Sequence, residues 1–118
     1  MNKNWISILE ASFIIYLLQP HTKNYNKRLI KSPRLYFHDT GLACNLLNIE
    51  TVEQLDTHYN RGSLFENFVI NELQKSILNQ AKTPNLYFFR NKHRKEIDCI
   101  IELPNTIIPL EIKSGKTF

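Results

Sequence analysis

The sequence has few glycines, few cysteines and no long apolar run, and each shortage excludes a class of protein. Its three glycines do not form the loop ending in Gly-Lys-Ser/Thr that binds nucleotide phosphates, so the chain carries no ATPase motif. Its two cysteines, Cys44 and Cys99, lie in apolar stretches without the spacing of zinc ligands, which predicts buried thiols. The longest apolar run, residues 13–18, is far shorter than the roughly 20 residues of a membrane-spanning helix.

With these classes of protein excluded, we expect a globular domain of a cytoplasmic protein. The first residues are not followed by the small-residue cleavage site of a secretory signal, and we expect no membrane partner. Hydrophobic residues make up 42% of the 118 residues, which is enough to form a modest core. The formal charge of +4 favours an anionic partner such as a nucleic acid.

The order of apolar patterns predicts an α/β chain in two parts. In residues 1–50, a short helix, a strand, a basic loop and a second strand resemble the last helix and wing of a winged-helix unit. Residues 51–61 are polar and are predicted to form a linker. In residues 62–118, a long helix that begins at Ser63 is followed by three strands.

The last two of these strands form a predicted β-hairpin that carries the candidate chemistry. Two alternating apolar and polar runs meet at Pro104-Asn105, and pairing across this turn places Asp98 opposite Glu111. Lys113 follows two residues later, on the same face of the strand. Two carboxylates can hold Mg²⁺ (or Mn²⁺), and an ammonium group beside them can orient a metal-bound water, which is equipment for phosphodiester hydrolysis. The structural alternative is a hairpin whose polar face is simply solvated.

Glu66 is a further candidate, because it lies on the inward stripe of the long helix with Ile70, Leu73 and Ile77. A functional role would direct its carboxylate toward the acidic face of the hairpin. A structural role is also open, since Ser63-Leu64-Phe65-Glu66 fits a capping box at the start of that helix.

A basic turn precedes the strand of Asp98. Arg90, Lys92, Arg94 and Lys95 lie in it, and we expect them to contact nucleic-acid phosphates near the metal. The alternative is a solvated hairpin tip.

Three segments carry a resemblance to a known family: Gly62-Ser63-Leu64-Phe65-Glu66, Glu96-Ile97-Asp98 and Pro109-Leu110-Glu111-Ile112-Lys113. In them the chain resembles the uncharacterised C-terminal domain of prokaryotic AAA-type ATP-binding proteins, which follows an ATPase domain and a winged-helix segment. The resemblance implies a PD-(D/E)xK, restriction-endonuclease-like core. That core would be truncated at its C-terminus, because the chain ends at Phe118.

The resemblance also implies roles for the candidate residues. Asp98 and Glu111 would bind Mg²⁺ (or Mn²⁺), while Lys113 and Glu66 would be catalytic. The protein would then be a Mg²⁺-dependent nuclease-like module whose partners are nucleic acid and the ATPase domain of a longer parent protein. The alternative is a non-catalytic accessory domain of that ATPase, which binds nucleic acid or another protein.

Overall fold

The computed structural model describes residues 3–21, 32–83, 85–91 and 95–113, and these residues form a mixed α/β fold. In chain order the elements are α1 (Lys3–Ala11), β1 (Ile15–Leu18), β2 (Arg34–Phe37), α2 (Thr40–Leu46), α3 (Val52–Thr57), α4 (Arg61–Asn79), β3 (Leu86–Arg90), β4 (Glu96–Leu103) and β5 (Thr106–Leu110). β1 and β2 form an antiparallel ribbon, and β3, β4 and β5 form an antiparallel sheet in that order. The predicted α/β class is confirmed. Of the helices described, none has the length and apolar character needed to cross a bilayer.

The β4–β5 hairpin has the predicted register. Leu103 pairs with Thr106 beside the turn, and the ladder continues to Cys99 and Leu110. Alternating side chains and a Pro-Asn turn were sufficient to predict this pairing, because both act between residues close in sequence.

A backbone connection joins the ribbon to the three-stranded sheet. The segment after β1 runs parallel to the outer edge of β3, where the Phe88 N–H donates to the Gln19 carbonyl at 3.1 Å and the His21 N–H donates to the Phe88 carbonyl at 2.8 Å. His21 is buried, and its Nε2 lies 3.3 Å from Oε1 of Glu102 on β4. The free edge of β3 is therefore covered by the first part of the chain.

α4 packs over both sheets and completes the main core. Ile70 is fully buried on the inner face of this helix. The core cluster around it contains Leu18, Tyr36, Ile70, Leu86, Phe88 and Cys99. These residues come from both predicted parts of the chain, so residues 1–50 and 62–118 share one hydrophobic core.

Two asparagines of α4 bind the backbone of β2. The Asn67 amide accepts from the Phe37 N–H at 2.9 Å and donates to the Phe37 carbonyl at 2.8 Å. The Asn71 amide donates to the carbonyls of Phe37 and His38 and accepts from the Tyr16 hydroxyl. Both asparagines are buried, which is tolerated because their polar atoms are hydrogen-bonded.

The region predicted to be a linker contains a helix. α3 lies within residues 51–61 and begins with a capping box in which Thr51 and Gln54 exchange hydrogen bonds. The sequence signal was available, because Thr51-Val52-Glu53-Gln54 has the S/T-x-x-E/Q pattern. Polar composition alone was a poor guide, since a short helix needs few apolar residues.

Three helices end with a non-glycine residue in the left-handed conformation. Phe13, Asn48 and Ala81 have φ angles of 60°, 60° and 58° after α1, α2 and α4. At each end, the N–H of the residue after the left-handed one donates a hydrogen bond to the carbonyl of the third-last helical residue. In α1, the Ile14 N–H donates to the Leu9 carbonyl at 3.0 Å. This is the Schellman arrangement, in which the left-handed position usually belongs to glycine.

Candidate functional site

Glu66 lies in the second turn of α4 and faces the ribbon. α4 begins at Arg61, after the N-cap residue Asn60, so the prediction that Ser63 caps the helix is wrong. The Glu66 carboxylate therefore takes no part in a capping box. Its Oε2 accepts a hydrogen bond from the Tyr36 hydroxyl at 2.9 Å, and its Oε1 lies 3.6 Å from Nη1 of Arg34.

Asp98 lies at an irregularity in β4. Tyr87 pairs with Ile100 and Phe89 pairs with Ile97, so Asp98 and Cys99 of β4 stand opposite the single residue between that pair on β3. A bulge of this kind interrupts the alternation of side chains and re-aims them, and bulges are common beside functional sites. Cys99 is fully buried in the core beneath α4.

The electrostatics place Glu66 and Asp98 in one acidic cluster with Glu96. Burial raises the pKa of Glu66, the Tyr36 hydrogen bond and the Arg34 charge oppose this rise, and the charges of Asp98 and Glu96 add to it. The three carboxylates come from α4 and from one end of β4. Glu66 and Asp98, which lie 32 positions apart in the sequence, therefore interact electrostatically in the folded chain.

The charges of two of these carboxylates also affect the pKa of the buried Cys99 thiol. Burial raises its pKa to about 11, and the charges of Glu66 and Asp98 contribute to the rise. The thiol is therefore protonated at neutral pH and is a poor nucleophile.

Arg34 is a residue of this site that the sequence analysis did not select. The structure places it at the start of β2, where its guanidinium pairs with Glu96 and Glu66 and lies 4.5 Å from the ring centre of Phe88. Burial alone would lower the pKa of Arg34, but its contacts with Tyr36 and the two glutamates raise it. The spacing Arg34-x-Tyr36 puts both side chains on one face of a strand, and this was the signal that could have identified them.

The segment after β5 stays beside Asp98. The Ile112 N–H donates to Oδ2 of Asp98 at 2.8 Å, so the carboxylate holds the backbone between Glu111 and Lys113. The side chains of Glu111 and Lys113 are 73% and 78% exposed and form an ion pair at 3.7 Å. The strand pairing of the hairpin ends with Cys99 and Leu110. The predicted pair of Asp98 with Glu111 would be the next one after it.

The basic turn is only partly described. Arg90 ends β3, is exposed and pairs in register with Glu96. The Asn91 side chain accepts from the Lys95 N–H at 3.1 Å, which closes the turn. Lys92 and Arg94 lie outside the described residues.

Comparison with known proteins relates the chain to domains that have no assigned function. Residues 61–118 match the sequence model of a domain of unknown function, DUF4143, which is typically found in AAA-ATPase-associated proteins. Residues 2–53 match a second domain of unknown function, DUF8612. This match agrees with the resemblance described for residues 62–118 and leaves the nuclease-like core a prediction.

Two curated relatives have been identified. The chain is 30% identical over 115 residues to an uncharacterized protein of Mycobacterium tuberculosis and, equally, to one of Mycobacterium bovis. Each match covers 98% of the chain but 25% of the relative, so the chain spans about a quarter of the length of the curated relatives it matches. No solved structure matches the chain.

The predicted metal ligands are carboxylates, whose oxygens are the donors that hard cations prefer. Across residues 3–21, 32–83, 85–91 and 95–113, no group of three or more His, Cys, Asp or Glu side chains is arranged to hold a metal ion. Mg²⁺ does not require such a group, because it keeps several waters and is commonly held by one or two carboxylates. The sequence analysis assigned this role to Asp98 and Glu111.

A cavity gives access to one side of the site. It has a volume of about 440 Å³ and lies between β2, α2 and the first turns of α4, with Arg34 and Glu66 in its wall. Most of the remaining lining is apolar, including Leu35, Leu46 and Leu64. Glu66 thus forms part of the cavity wall, and its side chain is 23% exposed.

Proposed function

We propose that this chain is a nuclease-like module that hydrolyses phosphodiester bonds in nucleic acid with Mg²⁺, within the C-terminal region of an AAA-type ATPase. The core would be of the restriction-endonuclease-like kind, preceded by a partial winged-helix unit. The match to a domain typical of AAA-ATPase-associated proteins supports the proposed parent protein.

One observation carries the proposal. α4 and the irregular stretch of β4 bring Glu66 and Asp98 into one electrostatic cluster, and the Asp98 carboxylate binds the backbone of Ile112. Ile112 separates Glu111 from Lys113 in the chain. Glu66, Asp98 and the segment from Glu111 to Lys113 come from three separate stretches of the chain, and these contacts support their assignment to one site.

In this proposal each residue has a stated role. Asp98 and Glu111 would hold Mg²⁺, which when bound supplies Lewis-acid activation of water and of the phosphate. Lys113 would orient the attacking water with its ammonium group, and Glu66 would support the site from α4. Arg90 and Lys95 would contact phosphates on the approaching strand.

A second candidate function is favoured by the exposure of Glu111 and Lys113. Because these two side chains already pair with each other in solvent, the surface can also serve as a mixed-charge contact without catalysis. The chain would then be an accessory domain that binds nucleic acid or a protein partner of the ATPase.

The test incubates single-stranded and double-stranded DNA and RNA with the protein and Mg²⁺ or Mn²⁺. Asp98→Asn is the sharpest variant, because asparagine keeps an acceptor for the Ile112 N–H while removing the charge. We expect cleavage by the wild type and its loss in Asp98→Asn and Lys113→Met. Glu53→Gln and Lys75→Met, which change exposed charges on α3 and α4, should cleave normally.

Two results would contradict the nuclease proposal. One is an absence of cleavage by a folded wild type with either ion. The other is cleavage that survives Asp98→Asn, which would identify a contaminating nuclease. Nucleic-acid binding that persists in EDTA and in both site variants would support the accessory function.

A further inference from the structure

The two oxygens of the Glu66 carboxylate are each contacted by a residue of β2. The Tyr36 hydroxyl donates to Oε2 at 2.9 Å, and the Arg34 guanidinium approaches Oε1 at 3.6 Å. Arg34 and Tyr36 are two residues apart on the same strand, so the strand geometry presents them together. The orientation of Glu66 is therefore set by the first part of the chain and not by α4 alone.

Arg34 is itself held from several sides. Its side chain is only 18% exposed, it pairs with Glu96 on β4, and its guanidinium stacks over Phe88 on β3. A planar guanidinium can contact two carboxylates and an aromatic ring at once, whereas a lysine ammonium cannot reproduce this geometry. Arg34 thus ties β2, α4 and the three-stranded sheet together at the candidate site.

The charge balance gives Arg34 a second effect. The negative charges of Asp98 and Glu96 repel that of Glu66, and this repulsion would turn the Glu66 carboxylate away if nothing offset it. The cation of Arg34 lies between two of these acids. Tyr36 adds a hydrogen bond that fixes one rotamer of the carboxylate, and its ring is buried and stacked on Tyr16 with centroids 5.6 Å apart.

We infer that Arg34 and Tyr36 are positioning residues for Glu66, so that the β1–β2 ribbon is part of the active module and not a separate binding wing. This inference rests on the proposed function, because it assigns Glu66 to the metal-dependent site. It predicts that the ribbon cannot be exchanged without loss of activity, because Arg34 and Tyr36 act through Glu66.

The experiment measures Mn²⁺ affinity by calorimetry, together with kcat and KM for nucleic-acid cleavage. The variants are Tyr36→Phe, Arg34→Lys and Arg34→Gln, with Glu66→Gln as reference. We expect Tyr36→Phe to weaken Mn²⁺ binding or kcat about tenfold, which is the usual effect of losing a group that orients a metal-site residue. KM for the nucleic acid should change less than about twofold, since Tyr36 does not contact it.

Tyr16→Phe is the matched control. Tyr16 stacks on Tyr36, and its hydroxyl donates to Oδ1 of Asn71 on α4 at 2.7 Å. Among the described contacts, it makes no hydrogen bond to Glu66. Both variants remove one part-buried phenol hydroxyl that binds the same helix. Only Tyr36→Phe should change Mn²⁺ affinity and kcat.

Two further comparisons separate positioning from simple stabilisation. In a Glu66→Gln background, Tyr36→Phe should have little additional effect, because a residue that acts through Glu66 has nothing left to orient. Arg34→Lys should retain more activity than Arg34→Gln. It also keeps the test valid if the glutamine variant, which leaves Glu66 and Glu96 uncompensated, fails to fold.

The outcomes distinguish this inference from the proposed function. Two results would overturn the inference alone. One is cleavage by Tyr36→Phe and Arg34→Lys at the wild-type rate. The other is an effect of these substitutions that adds fully to that of Glu66→Gln. Mn²⁺ binding that depends on Asp98 and on Tyr36 without any cleavage would overturn the nuclease proposal and support the inference. A folded wild type that binds no Mn²⁺ would overturn both.

Discussion

Asn67 binds the backbone of Phe37 as a neighbouring strand would, with its side-chain amide accepting from the N–H at 2.9 Å and donating to the carbonyl at 2.8 Å. This pair of hydrogen bonds fixes α4 against the edge of β2. It also places Glu66, the preceding residue, next to Arg34 and Tyr36. The architecture of the candidate site therefore depends on one buried amide.

Replacing this amide should destabilise the fold. Asn67→Ala removes both hydrogen bonds to Phe37 and leaves a cavity in a buried site, and we expect a loss of about 2 kcal/mol in the free energy of unfolding. Urea denaturation followed by circular dichroism would measure it. Asn79→Ala, at the exposed end of the same helix, should change stability by less than about 0.5 kcal/mol. Equal losses in the two variants would show that the Asn67 contacts contribute nothing specific.

The end of α1 should be improved by glycine. Phe13 is 80% exposed and has a φ of 60°, so it makes little use of its side chain while carrying the strain of a left-handed L-residue. We expect Phe13→Gly to be more stable than Phe13→Ala by about 0.5–1 kcal/mol, after allowance for the greater freedom of glycine in the unfolded chain.

This comparison is internally controlled, because both variants lose the phenyl ring and only one keeps a β-carbon. Thermal melting of the two proteins would measure the difference. An alanine variant as stable as the glycine variant would mean that the left-handed conformation is not maintained in solution.

The two cysteines should differ in reactivity. Burial raises the pKa of Cys99 to about 11, so about one thiol in a thousand is ionised at pH 8, and its sulfur is inaccessible. In a Cys44→Ser variant, which retains only Cys99, we expect an aromatic disulfide reagent to react at least about 100-fold more slowly with the native protein than in guanidinium.

The reciprocal variant, Cys99→Ser, reports on the partly exposed Cys44. Its native reaction should be faster than that of Cys44→Ser at the same pH. Rapid reaction of native Cys99 would mean that the core beneath α4 opens readily.

Glu66 should make stability depend on pH. Its pKa is raised above the ordinary value of 4.5, chiefly by burial. A carboxyl group with a raised pKa in the folded state contributes stability that is fully present below pH 4.5 and is lost as the pH rises through the folded value. As the pH rises from 4 to 8, the free energy of unfolding of Glu66→Gln should therefore increase relative to that of the wild type.

Unfolding in urea across that range would measure the difference. Glu72→Gln removes the same charge from an exposed position of α4, so a general effect of net charge would appear in both variants. A stability difference between Glu66→Gln and the wild type that stays constant with pH would contradict a raised pKa.

Local patterns predicted much of the fold. The alternating runs around Pro104-Asn105 predicted the hairpin and its register, and the apolar periodicity of residues 63–80 predicted a long helix with Ile70 inward. These features depend on neighbours within a few residues, where side-chain direction follows from backbone geometry alone. The four motif residues, Glu66, Asp98, Glu111 and Lys113, were likewise selected from spacing and from a resemblance, and their roles stay predictions.

The partners of these residues were decided by tertiary structure. The sequence left open a capping box and a role near the hairpin for Glu66, and it predicted neither of the partners that its carboxylate binds, Tyr36 and Arg34, which lie about thirty positions earlier in the chain. No local pattern encodes such a contact, because it arises only when α4 packs on β2. The irregular pairing at Asp98 and Cys99 is of the same kind, since it depends on how β3 and β4 fit beneath the helix.

The sequence by itself thus determined most of the helices, strands and turns, with α3 missed, because those choices follow from local side-chain periodicity and turn chemistry. Only the folded chain decided that the ribbon residues Arg34 and Tyr36 hold the Glu66 carboxylate. Burial and charge act through space, and the pairs they select are separated by tens of residues in the sequence.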